Sequence, residues 1–144
     1  MSQRIIRAVL ESRLDDWASN REPALRVAYE NASFEPATGE TYLRARVLPA
    51  STTSEDLEGA HRAYRGVFQV SIVSPINDGA GAEAGIADEI GVLFPVNLRL
   101  SLSGITIQII TPASAAPALQ KESSFIVPVS VTYRSDRILV QAQN

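Results

Sequence analysis

The chain has 144 residues, 45% of them hydrophobic and 20% charged, with 13 basic and 16 acidic side chains and a formal net charge of −3. That length suits one domain able to bury roughly two-thirds of its unfolded surface, and the acidic balance argues against a dedicated nucleic-acid binder, which normally carries a basic patch. With no cysteine, a disulfide framework, a thiolate zinc cluster and a thiol nucleophile are excluded, and a reducing compartment fits.

The first element predicted is a helix over Ser2 to Trp17, with Ile5, Ile6, Val9, Leu10, Leu14 and Trp17 on one stripe. Arg4, Arg7, Glu11 and Arg13 interrupt its apolar residues, so it does not read as a signal peptide. Glu11 precedes Asp15 by one helical turn, a like-charge pair from which that face gains nothing. Leu25, Val27 and Tyr29 then alternate with polar or small residues and predict a short strand. Asn31 to Glu40, with Pro36 and Gly39, reads as a loop. A second strand, Thr41 to Leu48, is closed by Pro49, and the polar, acidic stretch Ala50 to Ala60 is expected to form a mobile excursion.

The organising stretch is Tyr64 to Pro95. In its strand Tyr64, Gly66, Phe68, Val70 and Ile72 share one face, because side chains alternate with period two. Turn residues follow, Asn77 or Asp78 offers a cap, and a helix from Asp78 to Phe94 places Ala82, Ile86, Ile90 and Leu93/Phe94 on one side. Pro95 ends it. Leu98, Leu100 and Leu102 alternate towards Ser103-Gly104, a two-residue hairpin turn, and Ile105, Ile107 and Ile109 return. Thr111 to Gln120 reads as a loop. The last strand carries Phe125, Val127, Val129, Val131 and Tyr133 on one face, with Pro128 marking an edge or a bulge.

These elements predict a single two-layer α+β domain over residues 1–135, a mixed or antiparallel sheet with two helices packed on one face, and a tail over 136–144 that either frays or adds a short strand. Two helices leave the other sheet face less covered. Val67, Val73, Ile110 and Ile126 lie on it, which favours self-association.

Few residues suggest chemistry. Gly79-Ala80-Gly81-Ala82-Glu83-Ala84 has the form of a dinucleotide fingerprint, but Gly79 stands well beyond Val73 rather than in the tight turn the motif needs, so a flexible helix entry is the better reading. The pairs Asp15/Asp16, Glu55/Asp56 and Asp88/Glu89 are sequence neighbours, which diverge by about 100° on a helix and form no dyad. His61 is the sole histidine and lacks a nucleophile elbow nearby. Arg44 and Arg46 beside Tyr42 read as the solvent face of a strand. No catalytic residue, cofactor site or metal site is assigned.

Three stretches carry a family resemblance: Tyr29-Glu30-Asn31 with Phe34-Glu35-Pro36, Tyr42-Leu43-Arg44 and Leu48-Pro49; Tyr64 to Val70 leading through Gly79 and Gly81 to Ala87-Asp88; and Val129 to Arg134. In this order and spacing the chain resembles the small tail terminator proteins of long-tailed bacteriophages and related prophage domains. The resemblance implies a structural, non-enzymatic subunit that assembles as a hexameric ring on a finished tail tube, stops its polymerisation and offers a surface for head joining. The implied partners are copies of itself, the tail tube protein and a head–tail joining protein, with no membrane and no specific nucleic-acid binding, although DNA passes through the ring. Assembly would take place in the host cytoplasm and the product would reside in the virion tail. The resemblance carries no functional residue over one by one. Glu55, Asp56 and Glu58, with Arg44 and Arg46, are the candidate interface residues, and the loops Ala50–Ala60 and Thr111–Gln120 are expected to face tube, neck or lumen. A different neck or tail adaptor, or a small ligand-binding or enzymatic domain, are the alternatives.

Overall fold

The computed structural model describes residues 2–54, 57, 61–76, 81–121 and 123–138. Helix α1 (Ser2–Asn20) buries Ile6, Leu10, Leu14 and Ala18, with Ile5, Val9 and Trp17 packed partly against the same core. It runs past Trp17 because Ala18 continues the stripe and Asn20 Nδ2 donates to the Asp16 carbonyl at 2.7 Å, satisfying an acceptor of the last turn. Glu11 and Asp15, the like-charge pair of this helix, each find another partner. Arg7 approaches Glu11 at 3.5 Å, and Asp15 accepts from the Tyr29 hydroxyl at 2.9 Å.

Strand β1 is only Val27–Ala28 and pairs parallel with the start of β2 (Tyr42–Ser54). Leu25, expected within it, is instead tied to α1 through its amide, 2.9 Å from the Ala18 carbonyl. Strand β2 does not stop at Pro49. Leu43 and Val47 turn their amides away from the next strand, so the same parity places the donorless nitrogen of Pro49 on the open side, where proline is tolerated. The register slips between Pro49 and Ser51, and the strand continues to Ser54. Part of the expected excursion is therefore an extended arm.

Strand β3 (His61–Pro75) is hydrogen-bonded to a neighbour on each side along its length. Helix α2 (Gly81–Leu93) buries Ile86, Ile90 and the following Phe94. The Asn77 or Asp78 cap, Gly79 and the side chain of Ala82 lie outside the described residues. Strands β4 (Arg99–Leu102) and β5 (Ile105–Ile109) form the predicted hairpin. Ser103 and Gly104 have φ of 53° and 79°, the two positive values a tight primed turn requires.

The segment from Thr111 to Gln120 was expected to be a loop but contains β6 (Ser114–Ala115) and β7 (Leu119–Lys121), both paired with β8 (Ser124–Ile138). Pro128 lies within β8 opposite Ser71 of β3, and its carbonyl accepts from Ala116 at 2.8 Å. In an antiparallel ladder a residue's nitrogen and carbonyl point to the same neighbour, so its missing donor faces the discontinuous β6/β7 side. Strand β8 carries on through Asp136 to Ile138; residues 139–144 lie outside the described residues.

The sheet order is β1-β2-β3-β8-β5-β4, with β6 and β7 also on β8. Both helices lie on one face. There α1 meets β2, β4 and β5, and α2 meets β3 and β8. Leu43, Ala45, Val47, Phe68, Val70, Ile72, Ile105, Ile107, Ile109, Val129, Val131 and Tyr133 point into this core. Phe68 and Phe94 meet edge-on, their rings 5.5 Å apart, a favoured aromatic geometry. The helices are also tied to one another: Arg13 Nε donates to the Leu93 carbonyl at 2.8 Å, and Arg21 forks onto Glu89 at 3.1 and 2.7 Å.

Candidate assembly surfaces

The face of the sheet away from the helices follows from the register. Across β2, β3 and β8, its rows read Arg44–Ser71–Pro128, Arg46–Gln69–Ser130 and Leu48–Val67–Thr132. Beyond the bulge, one row runs Ser51–Arg65–Arg134–Gln108–Arg99 and the next Thr53–Ala63–Asp136–Thr106–Ser101. Among the described residues no helix covers this surface. Arginine, serine and threonine make up most of it, with Leu48 and Val67 half-buried in one row and Ile110 exposed at its margin.

One corner is not open. Val73, expected on the uncovered face, is buried with Ala28 and Tyr42, and Phe34 and Ile126 pack against them. The loop after β1 folds over this corner. Arg26 lies over the Phe34 ring, 4.5 Å from its centroid, and forks onto Glu40 at 2.7 and 2.6 Å. The Arg26 bonds, the Ala37 amide at 2.9 Å and the charge of Arg26 hold the Glu40 carboxyl down at about 2.

Of the sequence-predicted interface residues the structure describes two. Arg44 and Arg46 lie side by side on the exposed outer face of β2. Glu55, Asp56 and Glu58 lie outside the described residues, so no geometry joins them to the two arginines. His61, at the start of β3, meets Asp136 Oδ1 through Nε2 at 2.9 Å, and Arg134 forks onto the same carboxylate at 2.9 Å through both nitrogens. Those Arg134 bonds, foremost, and the His61 contact hold Asp136 below the usual carboxylate range against burial. The carboxylate is thus committed to a structural pair on the sheet surface. Among the described residues no three His, Asp or Glu side chains come together as a metal site, and no helix is long and apolar enough to cross a membrane.

The sheet has two open sides. At one, β2 beyond Arg44 has no strand on the side away from β3 among the described residues, and the Val47 amide is taken instead by Glu30 Oε1 at 2.9 Å, which also accepts from Arg7 at 2.7 Å. Burial pushes Glu30 up, but Arg7 and the Val47 amide outweigh it and the carboxyl stays below its ordinary value. At the other side stands β4, largely exposed. Managed edges of this kind limit uncontrolled pairing.

The helix layer presents a different surface. A groove of about 490 Å³ runs between α1 and α2, lined by Arg13, Trp17, Asp88, Glu89, Val92 and Leu93. Val92 is 79% exposed at its rim. A neighbouring depression of about 520 Å³ shares Arg13, Trp17 and Leu93 and reaches Asp16 and Leu102. Sequence reasoning placed Trp17 on the core stripe and missed this apolar patch. Val92, off the Ile86–Ile90 stripe in the second helix, was the available signal.

Two buried features also escaped the sequence reading. Gly66 faces Tyr133 across the β3–β8 pair; a Cβ there would fall 2.7 Å from both the Leu48 carbonyl oxygen and Tyr133 Cζ. The glycine is the space the tyrosine ring occupies. Glu83, in the first turn of α2, is 2% exposed and receives the Ser74 hydroxyl on Oε1, while Oε2 has no partner among the described residues.

One comparison with known proteins gives a family assignment. A family model described as phage tail terminator protein matches residues 5–133. A solved structure that is 43% identical covers 99% of this chain and 99% of its own, with a TM-score of 0.80. A search of curated proteins returns no match.

Proposed function

The chain belongs to the phage tail terminator family, and from that premise we propose that it ends the growth of a tail tube. Copies close into a hexameric ring on the last ring of the tube, block the next tube subunit and present a surface to the head-joining protein. Membership gives a role in phage tail assembly as a structural protein. The finer steps are supported by the uncovered sheet face, polar over most of its rows, and by the apolar groove on the opposite layer. Such surfaces suit recognition by shape and charge rather than catalysis. In this reading Arg44 and Arg46 are contact residues, the acidic segment with Glu55, Asp56 and Glu58 meets tube or neck, and the subunit assembles in the host cytoplasm before joining the virion tail.

The observation that carries the proposal is the family match across nearly all of the described fold. Its test is to inactivate the gene in its phage or prophage and image the particles. Tails longer than those of the parent, without heads, are expected. Tails of parental length without heads would replace termination with the adaptor reading.

A further inference from the structure

Among the described residues the ionisable side chains are spread unevenly over the two layers, although α1 also carries Arg4 and Arg7 near its start. Among the described residues the outer sheet rows carry Arg44, Arg46 and Arg99, with Arg65 bonded to Thr53 and Arg134 to Asp136, the one acid described there, and Lys121 extends them opposite Ser124. The covering loop adds Arg26 with Glu35 and Glu40, of which Arg26 and Glu40 form a pair. On the helix layer the exposed acids Asp15, Asp16, Asp88 and Glu22 crowd the end of α1 and the outer side of α2. Arg21 there is committed to Glu89, and Arg13 to the Leu93 carbonyl. Among the described residues the outer sheet rows are thus the more basic surface and the rim of α1 and α2 the more acidic one.

We infer that copies of this chain meet face to back, the basic outer sheet of one seated on the acid-rimmed groove of α1 and α2 of the next. The inference rests on the reading above in requiring that copies associate, and it adds which surfaces meet. Two different patches on opposite layers make a heterologous contact, the kind that closes into a ring when the rotation per subunit allows. Opposite charges on the two patches favour this pairing and penalise sheet against sheet or helix against helix, which would set like charges together. The groove supplies the apolar centre that a charged rim alone lacks: Trp17 and Leu93 on its floor and Val92 at its edge. Long arginine stems such as those of Arg44 and Arg46 can cover apolar surface while their heads meet the acids. A nucleic acid would also answer a basic face, but the outer rows offer no exposed aromatic ring for a base to stack on, and tyrosine enters them only at the sealed Tyr42 corner.

The test is a charge swap followed by sedimentation velocity at low and high salt. Arg44→Glu/Arg46→Glu sets two acids on the outer rows against the acidic rim of the groove, and Asp16→Lys/Asp88→Lys sets two bases on that rim against the basic rows. Wild-type protein should associate, more weakly as salt rises, whereas each variant alone should show at least a tenfold loss of association. An equimolar mixture of the two should recover it, because each then meets an opposite face, and this recovery also shows that both variants fold. The inference is overturned if either variant associates like the wild type, if the mixture stays monomeric, or if the wild type is monomeric even with tube protein present. It is likewise overturned if the arginine variant loses only its retardation of DNA. Wild type and variants that all cap tubes alike would remove the face assignment and leave termination standing. Charge-dependent rings that leave tube length unchanged would do the reverse.

Discussion

At the scale of single residues, the most constrained position is Gly66. The strand pattern marks it only as a gap in an apolar row, since a sequence cannot say what fills the space opposite a glycine. The Tyr133 ring does so, fully buried and anchored at its hydroxyl by Gln3 at 3.4 Å. Gly66→Ala would press a methyl against that ring and against the Leu48 carbonyl, which is backbone and yields little. Overpacking of this kind costs about 1–3 kcal/mol. The expected result is a melting temperature several degrees lower, partly restored by pairing the change with Tyr133→Leu; an unchanged melting curve would contradict the packing described. A second residue-scale prediction concerns Ser74. Its hydroxyl is the only partner found for the buried Glu83 side chain among the described residues. Ser74→Ala should therefore destabilise by about 1–3 kcal/mol, the cost of a buried polar group losing its bond. Urea unfolding would show it as a lower midpoint with the same slope.

At the scale of elements, periodicity carried furthest where a segment's own side chains decide its state. The α1 stripe, the alternation of β3 and the Ser103-Gly104 turn were all legible. The pattern failed where a neighbour decides. Strands β6 and β7 are too short to show alternation and exist because one side of β8 stands open to them. Pro49 looked like a terminus because the sequence does not reveal that β2 is an edge there. The burial of Val73 depended on the loop carrying Phe34, which no local signal assigned to that face. That loop also gives a pH prediction. The Glu40 carboxyl, held at about 2 by Arg26 and the Ala37 amide, is depressed from its ordinary value of 4.5. A group depressed in the folded state contributes stability that is present above its unfolded value and lost as pH falls through the folded one. The Phe34 loop should therefore loosen between about pH 4.5 and pH 2. Hydrogen exchange at the amides of Ala37 and Glu40 should rise across that window after correction for intrinsic rates. Glu40→Gln should show high exchange already at neutral pH and little further change; a wild-type profile flat across the window would contradict the pairing.

At the scale of the whole molecule, the two-layer α+β architecture and the uncovered sheet face were readable from the count of helices and strands, and the family from the order of three short stretches. The segregation of charge was not readable. It depends on which strand neighbours which, and on the register that brings Arg65, Arg134 and Arg99 into one row although they are far apart in the chain. Among the described residues this leaves arginine-rich sheet rows on one layer and exposed acids on the other, unlike surfaces that suit the head-to-tail contact inferred above. The central claim, that this protein works by capping a filament, is tested most directly by adding it to polymerising tube protein from the same phage and measuring tube lengths by electron microscopy. The account predicts that mean length falls as the ratio of added protein rises, with a ring of extra density at one end of each tube. Lengths independent of that ratio, with bare ends, would contradict it.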